Sequence, residues 1–244
     1  MGRILITGSA DGLGALAAKA LVAQGHSVVL HGRNETRARE AWDKVPEAEA
    51  VVTGDLGSMD ETKRLAENIN ALGQFDAVIQ NAGLYHAPAK DLFTVNTLAP
   101  YILTCLIQKP QRLIYLSSDM HTGGRSKLES FKSEPGRLTY SDTKLHVLML
   151  CKAVARHWKD ANVNAVNPGW VPTKMGGSAA PDSLEAGYET QVWLAASPDE
   201  KARVSGRYFY QKKESRYNHH ADDQQLQEQF MSLCQEITGV EFPA

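Results

Sequence analysis

The chain has 244 residues and a mass of 26.8 kDa, long enough for one large domain and too short for a multi-domain machine. Its 26 basic and 28 acidic residues leave a net charge of −2, which excludes a broad field for holding nucleic acid or an anionic membrane. With 43% hydrophobic and 22% charged residues the composition is globular, neither disordered nor collagen-like. Three scattered cysteines, Cys105, Cys151 and Cys234, make a poor disulfide framework and read as buried small hydrophobes in a reducing cytosol. The first apolar run, Ile4-Leu5-Ile6, leads directly into a glycine-rich turn, which argues against a signal peptide, and no apolar stretch approaches the ~20 residues of a bilayer span. Cytoplasmic residence and no membrane partner are the expectations.

In chain order, short apolar runs alternate with helix-length amphipathic segments. The strand candidates are Arg3 to Thr7, Ser27 to His31, Ala50 to Val52, Phe75 to Gln80, Arg112 to Ser117, Asn162 to Val166 and Arg207 to Tyr210. This order predicts an α/β fold: a single Rossmann-type doubly wound domain over 1–244, with about seven parallel strands and helices on both faces. Leu13 to Gln24 has helical spacing with Gly25 as its stop. Asn34 is the expected N-cap of a helix containing Trp42, and Ser58-Met59-Asp60-Glu61 reads as a capping box. Tyr101 to Ile107 and Ser141 to Lys159 read as long helices, and Gln224 to Ile237 as a closing helix. Two stretches interrupt the alternation, Asp119 to Thr139 and Thr173 to Asp182. Both follow strand ends, where an open α/β sheet binds ligands, so both are candidate substrate loops.

The turn Thr7-Gly8-Ser9-Ala10-Asp11-Gly12-Leu13-Gly14 joins the first strand to the first helix. Gly8 permits a tight turn, Gly12 lets the backbone approach a pyrophosphate, and Gly14 lets helix pack on strand, while the helix N-terminus offers unpaired N–H groups. This is a dinucleotide-binding arrangement. The second strand ends in His31-Gly32-Arg33-Asn34, without the acid that holds a ribose 2′-hydroxyl in NAD enzymes. Arg33 suits a 2′-phosphate and favours NADP, with NAD as the alternative. Asp11 carries the wrong sign for that phosphate unless it points away.

Tyr140 and Lys144 stand four residues apart, one turn from each other on a helix face. A phenol titrates near ~10 and must be brought roughly 2–3 pH units lower to exchange a proton at neutral pH; a nearby ammonium and an oxidised nicotinamide both act in that direction. Alone, this pair is ordinary on any helix. It is accompanied by Ser117-Ser118, Asn81-Ala82-Gly83, Asn96, Asp55-Leu56 and Asn167-Pro168-Gly169 with Thr173.

With that ordered set, the chain resembles the short-chain dehydrogenases/reductases over nearly its whole length. Leu116-Ser117-Ser118-Asp119-Met120-His121 and Asn167-Pro168-Gly169-Trp170-Val171-Pro172-Thr173 look most like the retinol-dehydrogenase-like and carbonyl-reductase-like branch. The resemblance implies that Tyr140 exchanges the proton with the substrate oxygen, that Ser118 hydrogen-bonds that oxygen, with Ser117 as the alternative, and that Lys144 binds the nicotinamide ribose. It implies that Asn96 holds a water in a proton relay. It further implies that Asp55 and Leu56 meet adenine, that Asn81, Ala82 and Gly83 line the cleft, and that Pro168, Gly169, Val171 and Thr173 surround the nicotinamide. Gly8, Ser9, Asp11, Gly12, Leu13, Gly14 and Arg33 complete the expected cofactor set, and hydride transfer from the B face is implied. Ser118 and Tyr140 are 22 positions apart, a wide gap whose loop should wall the pocket.

The expected reaction is hydride transfer between NADP(H) and a carbonyl or alcohol carbon. Tyr85, His86, His121, Trp170 and Met175 near strand ends are substrate-contact candidates, suited to an apolar ketone or aldehyde. The rival is a catalytically silent dinucleotide sensor, which would be expected to lose the Tyr and Lys pair. An extended-branch epimerase would need a larger C-terminal domain, and an enoyl reductase a wider Tyr-to-Lys spacing. His219-His220 lacks companion ligands, so no metal is expected, and the Arg207 to Arg216 segment is too balanced for nucleic acid. Relatives often form homo-oligomers through helices corresponding to 101–107 and 141–159, so pairing of copies is an open expectation.

Overall fold

Successive residues of a strand point to opposite faces, and here both sets are apolar. Ile4 and Ile6 of β1 (Arg3–Ile6) lie in one hydrophobic cluster and Leu5 in the other; Ile114 and Tyr115 of β5 (Arg112–Leu116) divide in the same way. Strands apolar on both faces must be covered on both, which is the condition for a parallel sheet between two helix layers. In the computed structural model, which describes residues 1–126, 128 and 135–243, that is the architecture. β2 (Ser27–Gly32), β3 (Ala50–Thr53), β4 (Ala77–Gln80), β6 (Asn162–Asn167), β7 (Arg207–Tyr210) and β8 (Lys213–Glu214) complete one sheet in the order β3-β2-β1-β4-β5-β6-β7-β8. The chain winds outward from β1 in one direction and then from β4 in the other, so a crevice opens where the order reverses.

The seven expected strands are all present and parallel. One short strand was not legible: β8 pairs antiparallel with β7 through Gln211 (φ 48°) and Lys212 (φ 61°). A two-residue hairpin needs positive φ at its centre, and Gln-Lys carries none of the Asn-Gly signal that announces one.

Helices α1 (Gly12–Ala23) and α2 (Glu35–Lys44) cover one face; α3 (Met59–Ala71), α4 (Ala89–Phe93), α5 (Ala99–Leu106) and α6 (Tyr140–His157) cover the other. Further along, α7 (Leu184–Ala196) joins the first layer and α8 (Gln224–Thr238) the second. Asn34 caps α2 by accepting from Arg37 N at 3.0 Å. Ser58 caps α3, but Glu61 turns to Asp55 N at 2.9 Å, so the expected capping box is half made. A complete box instead starts α6: Thr139 and Asp142 bond each other's backbone N–H groups and fix the helix start at Tyr140.

Helix α8 lies across α6, and the tail beyond it reaches further. Tyr101 Oη donates to Val240 O at 2.8 Å, and Trp158 stacks on Phe242 at 5.7 Å. The apolar sides of α5 and α6 are therefore largely covered within one chain. Asp119–Gly123 and Pro135–Arg137 are short 3-10 turns; the remainder of the expected 119–139 loop at 127 and 129–134 lies outside the described residues. Among the described residues no helix is long and apolar enough to cross a membrane.

Candidate active site

The crevice is a cleft of about 790 Å³ along the carboxyl ends of the strands. Its floor is the glycine-rich turn. Gly8 has φ +64°, and a Cβ there would stand 2.9 Å from Ala82 Cα; a Cβ on Gly14 would meet Asn81 Nδ2 and Gly8 O at 2.5 Å. Asn81 Nδ2 donates to Thr7 O (2.9 Å) and Gly8 O (3.1 Å), and Ala82 N donates to Thr7 Oγ1 (3.1 Å), so β4 braces the turn. His31 braces it from β2: its Nδ1 accepts from Gly8 N at 2.9 Å and its Nε2 donates to Gly54 O at 2.9 Å. Burial keeps this imidazole neutral by pulling its pKa down. Ser9 does not face the cleft, contrary to expectation. It is buried, donating from Oγ to Ile6 O and accepting from His31 N, so it ties β1 to β2.

Asp11 caps α1 by accepting from Gly12 N at 2.9 Å. Its charge is answered by Lys174 Nζ, Lys44 Nζ at 3.2 Å and Arg37 Nη2 at 3.8 Å; Lys174 first, then the Gly12 N–H and Lys44, hold the carboxyl well below the usual carboxylate range. The sequence conflict between Asp11 and a 2′-phosphate is thereby removed: the acid is enclosed by cations. Arg33 and Arg37 both line the cleft beside Asp55 and Leu56. Arg37, Lys44 and Lys174 escaped the sequence reading because they come from one helix and a distant loop; only the one-turn spacing of Arg33 and Arg37 was a usable signal.

At the other end, Gly12, Leu13, Asn81, Ala82, Gly83, Pro168 and Thr173 line the cleft. Val171 and Gly169 do not. Val171 is buried against Gly187 of α7, and Gly169, at φ +82°, makes the turn that brings Trp170 N to Asp182 Oδ2 at 2.7 Å.

Tyr140 and Lys144 share one face of α6 and both open onto the cleft; Lys144 Nζ is 5.4 Å from the Tyr140 ring centre. Lys144 Nζ donates to Leu116 O at 2.7 Å, and burial lowers its pKa to about 8. Burial pushes the Tyr140 phenol up to about 12, with the nearby Ser118 hydroxyl acting the other way, although Ser118 Oγ itself donates to Asp119 Oδ1 at 3.2 Å and accepts from Met120 N at 3.3 Å. Ser118 is therefore the serine beside the phenol. Ser117 spends its hydroxyl on Lys144 O at 2.9 Å, which fixes β5 to α6. Asn96 sits in a π turn, Thr94–Leu98, between α4 and α5. Pro100 lacks the N–H that would bond the carbonyl four residues back, which is that of Asn96. The Asn96 amide is committed to Leu84 N (2.7 Å), Leu84 O (2.8 Å) and Thr143 Oγ1 (3.1 Å), so a relay water would have to use the main-chain carbonyl.

Tyr85 meets the Tyr140 ring edge-on at 4.8 Å and stacks with His86 at 4.0 Å; Met175 lines the cleft and Trp170 is exposed near it. His121, expected to touch substrate, is instead fully buried behind Ser118.

The cradle fits a dinucleotide: glycines at the floor leave the room a Cβ would fill, a helix N-terminus faces the cleft, and cations stand at one end with Tyr140 and Lys144 at the other. A family model described as short chain dehydrogenase matches residues 3–110. The chain is 43% identical to "Short-chain dehydrogenase chyC" of Penicillium rubens, over 100% of both sequences. It is 27% identical to mouse "Retinol dehydrogenase 14", over 97% of this chain and 86% of that one, in keeping with the retinol-dehydrogenase-like branch. A crystal structure from Escherichia coli CFT073, described as a short chain dehydrogenase complexed with NADPH, superposes with a TM-score of 0.69 at 25% identity, covering 86% of this chain and 96% of that one. Site geometry and full-length similarity agree: the chain belongs to the short-chain dehydrogenase family and is an oxidoreductase that uses a nicotinamide dinucleotide.

Proposed function

We propose that this enzyme transfers hydride between NADP(H) and the carbonyl or alcohol carbon of a small, largely apolar substrate, with Tyr140 as general acid and base. The observation that carries the reading is the placement of Tyr140 and Lys144 on one face of α6 at the end of the dinucleotide cradle, with Ser118 beside the phenol. Bound, the cofactor supplies the hydride at C4 of its nicotinamide ring. With substrate bound, the Ser118 hydroxyl turns from Asp119 Oδ1 to the substrate oxygen, while Lys144, fixed by Leu116 O, holds its charge on the same helix face as the phenol. Burial pushes the Tyr140 phenol up, and the positive charge of an oxidised nicotinamide, when bound, would act the other way.

The NADP preference is supported by Arg33 and Arg37 on the cleft wall and by the neutralised Asp11. Tyr85, Met175 and the exposed Trp170 supply an apolar rim. The same reading makes 1–244 one catalytic domain, acting in the cytoplasm; the three free, buried cysteines suit a reducing compartment. The test is consumption of NADPH and of NADH with a panel of aldehydes and ketones. NADPH-dependent turnover of apolar carbonyls supports the reading, and binding of NADPH with no turnover on any of them favours a silent sensor.

A further inference from the structure

We propose that His121 is a positioning residue, whose neutral imidazole ties the main chain of Ser118 to Asn218 so that the C-terminal segment 213–222 holds the serine hydroxyl against Tyr140. The proposal rests on the catalytic reading of Ser118 and Tyr140 given above.

His121 is fully buried, and both ring nitrogens are engaged. Nδ1 bonds Ser118 O, and Nε2 faces Asn218 N at 3.1 Å. A carbonyl oxygen only accepts and a peptide N–H only donates, so these partners require the tautomer with its proton on Nδ1. The His121 N–H donates to the same Ser118 carbonyl at 3.2 Å, giving that carbonyl two donors. Tyr208 packs edge-on against the ring at 4.8 Å. Asp119 is the charged neighbour that favours protonation, but burial outweighs it. A second ring proton would set N–H against the Asn218 N–H.

The far anchor is firm. Asn218 Oδ1 caps the turn His219–Asp222 by accepting from His220 N at 3.1 Å. Lys152 Nζ donates to Tyr217 Oη at 2.7 Å and stands 3.0 Å from Asp222 Oδ1. Lys152 lies on α6, the helix that begins at Tyr140. The C-terminal segment is thus pinned to the helix carrying the phenol and, through His121, to the strand end carrying the serine. One imidazole closes the triangle that sets the Ser118 to Tyr140 distance. Displacing a catalytic group by ~1 Å can lower turnover on the order of 100-fold.

Three variants separate positioning from plain stability. His121→Phe keeps a ring of similar outline and removes both bonds. Asn218→Pro removes the main-chain donor to Nε2 together with the cap and the 3.4 Å bond from Nδ2 to Thr122 O, at a φ of −68° that proline already favours. Asn218→Ala removes the same two side-chain bonds and keeps the main-chain donor, so the pair isolates the bond to His121. Expected are a 10- to 100-fold loss of kcat in His121→Phe and in Asn218→Pro, unchanged KM for the cofactor, and wild-type kcat in Asn218→Ala. The double variant His121→Phe/Asn218→Pro should be no slower than either single one. In carbonyl reduction, where Tyr140 acts as the acid, the alkaline limb of the pH profile should move to higher pH, because a displaced Ser118 hydroxyl no longer favours the phenolate. Wild-type kcat in His121→Phe, or an equal loss in Asn218→Ala and Asn218→Pro, overturns the proposal. If His121→Phe does not fold, the Asn218 pair decides alone. Tyr140→Phe run alongside keeps the two claims apart: turnover there rejects the catalytic reading, whereas a dead Tyr140→Phe beside an unaffected His121→Phe rejects only the positioning role.

Discussion

Lys144 shows how the site trades stability for chemistry at the scale of one residue. Burial lowers its pKa from 10.5 to about 8, so below pH 8 the folded protein holds a charge it would rather lose. The unfolded chain binds the proton more tightly between those values, and stability contributed by this group rises as pH increases from 8 to 10.5. Lys144→Met should therefore abolish turnover yet raise stability at pH 7 by on the order of 1–2 kcal/mol, after allowing for the orphaned Leu116 carbonyl. Urea unfolding at pH 7 and pH 10 checks this, because the advantage should shrink at the higher pH. Arg33→Asp should shift the ratio of NADPH to NADH efficiency toward NADH by about tenfold or more, measured with saturating carbonyl substrate. That Tyr140, Lys144 and Asn81 meet at one cleft was legible because each lies in a short local motif. The partners that shape their environment were not. Lys174 reaches Asp11 across 163 positions, and His121 sits close to Ser118 in sequence yet turns inward to Asn218.

At the scale of elements, the fold brings backbone close to backbone where the cofactor end of the cleft is built. Gly32 ends β2 directly under the first turn of α2, and a Cβ there would stand 2.6 Å from Ala38 N and 2.8 Å from Arg37 C. These are main-chain atoms and cannot swing aside. Gly32→Ala should push α2 outward, costing about 1–3 kcal/mol, and should weaken NADPH binding more than NADH binding because Arg37 moves with the helix. Thermal unfolding and titration with the two cofactors measure the two effects. The π turn at Asn96 follows the same logic: Pro100 was visible in the sequence, but the consequence of its missing N–H four residues earlier appears only once the surrounding residues are known to be helical. Strands and the N-caps at Asn34 and Ser58 were readable from local pattern, whereas those at Asp11, Ser183 and Asp223 were not. The capping box at Thr139 was hidden, because Ser141 looked like an equally good start.

Across the whole molecule, both helix layers are closed by parts of the chain distant in sequence. Phe230 of α8 is fully buried in the cluster that also holds Leu148 and Leu150 of α6, so Phe230→Ala should cost about 3–5 kcal/mol. The sequence showed α8 as an amphipathic helix but could not say which surface it covers, and so left pairing of copies through α5 and α6 open. Buried neutral histidines give the fold an acid limit. His146 is fully buried with its pKa lowered to about 4, and His31 and His121 are lowered in the same direction. The unfolded chain takes up protons below about pH 6.5 while the folded one resists, so stability should decline from pH 6.5 toward pH 4. His146→Leu should flatten that decline in unfolding curves taken across the interval.

In the proposed reaction Tyr140 moves the proton while the rest of the cleft binds the cofactor. The most direct measurement is single-turnover oxidation of NADPH by Tyr140→Phe with a carbonyl that the wild type reduces, paired with NADPH titration of the same sample. Loss of turnover by on the order of 10³-fold or more with cofactor affinity retained is the predicted result. Turnover within a few-fold of wild type would contradict it.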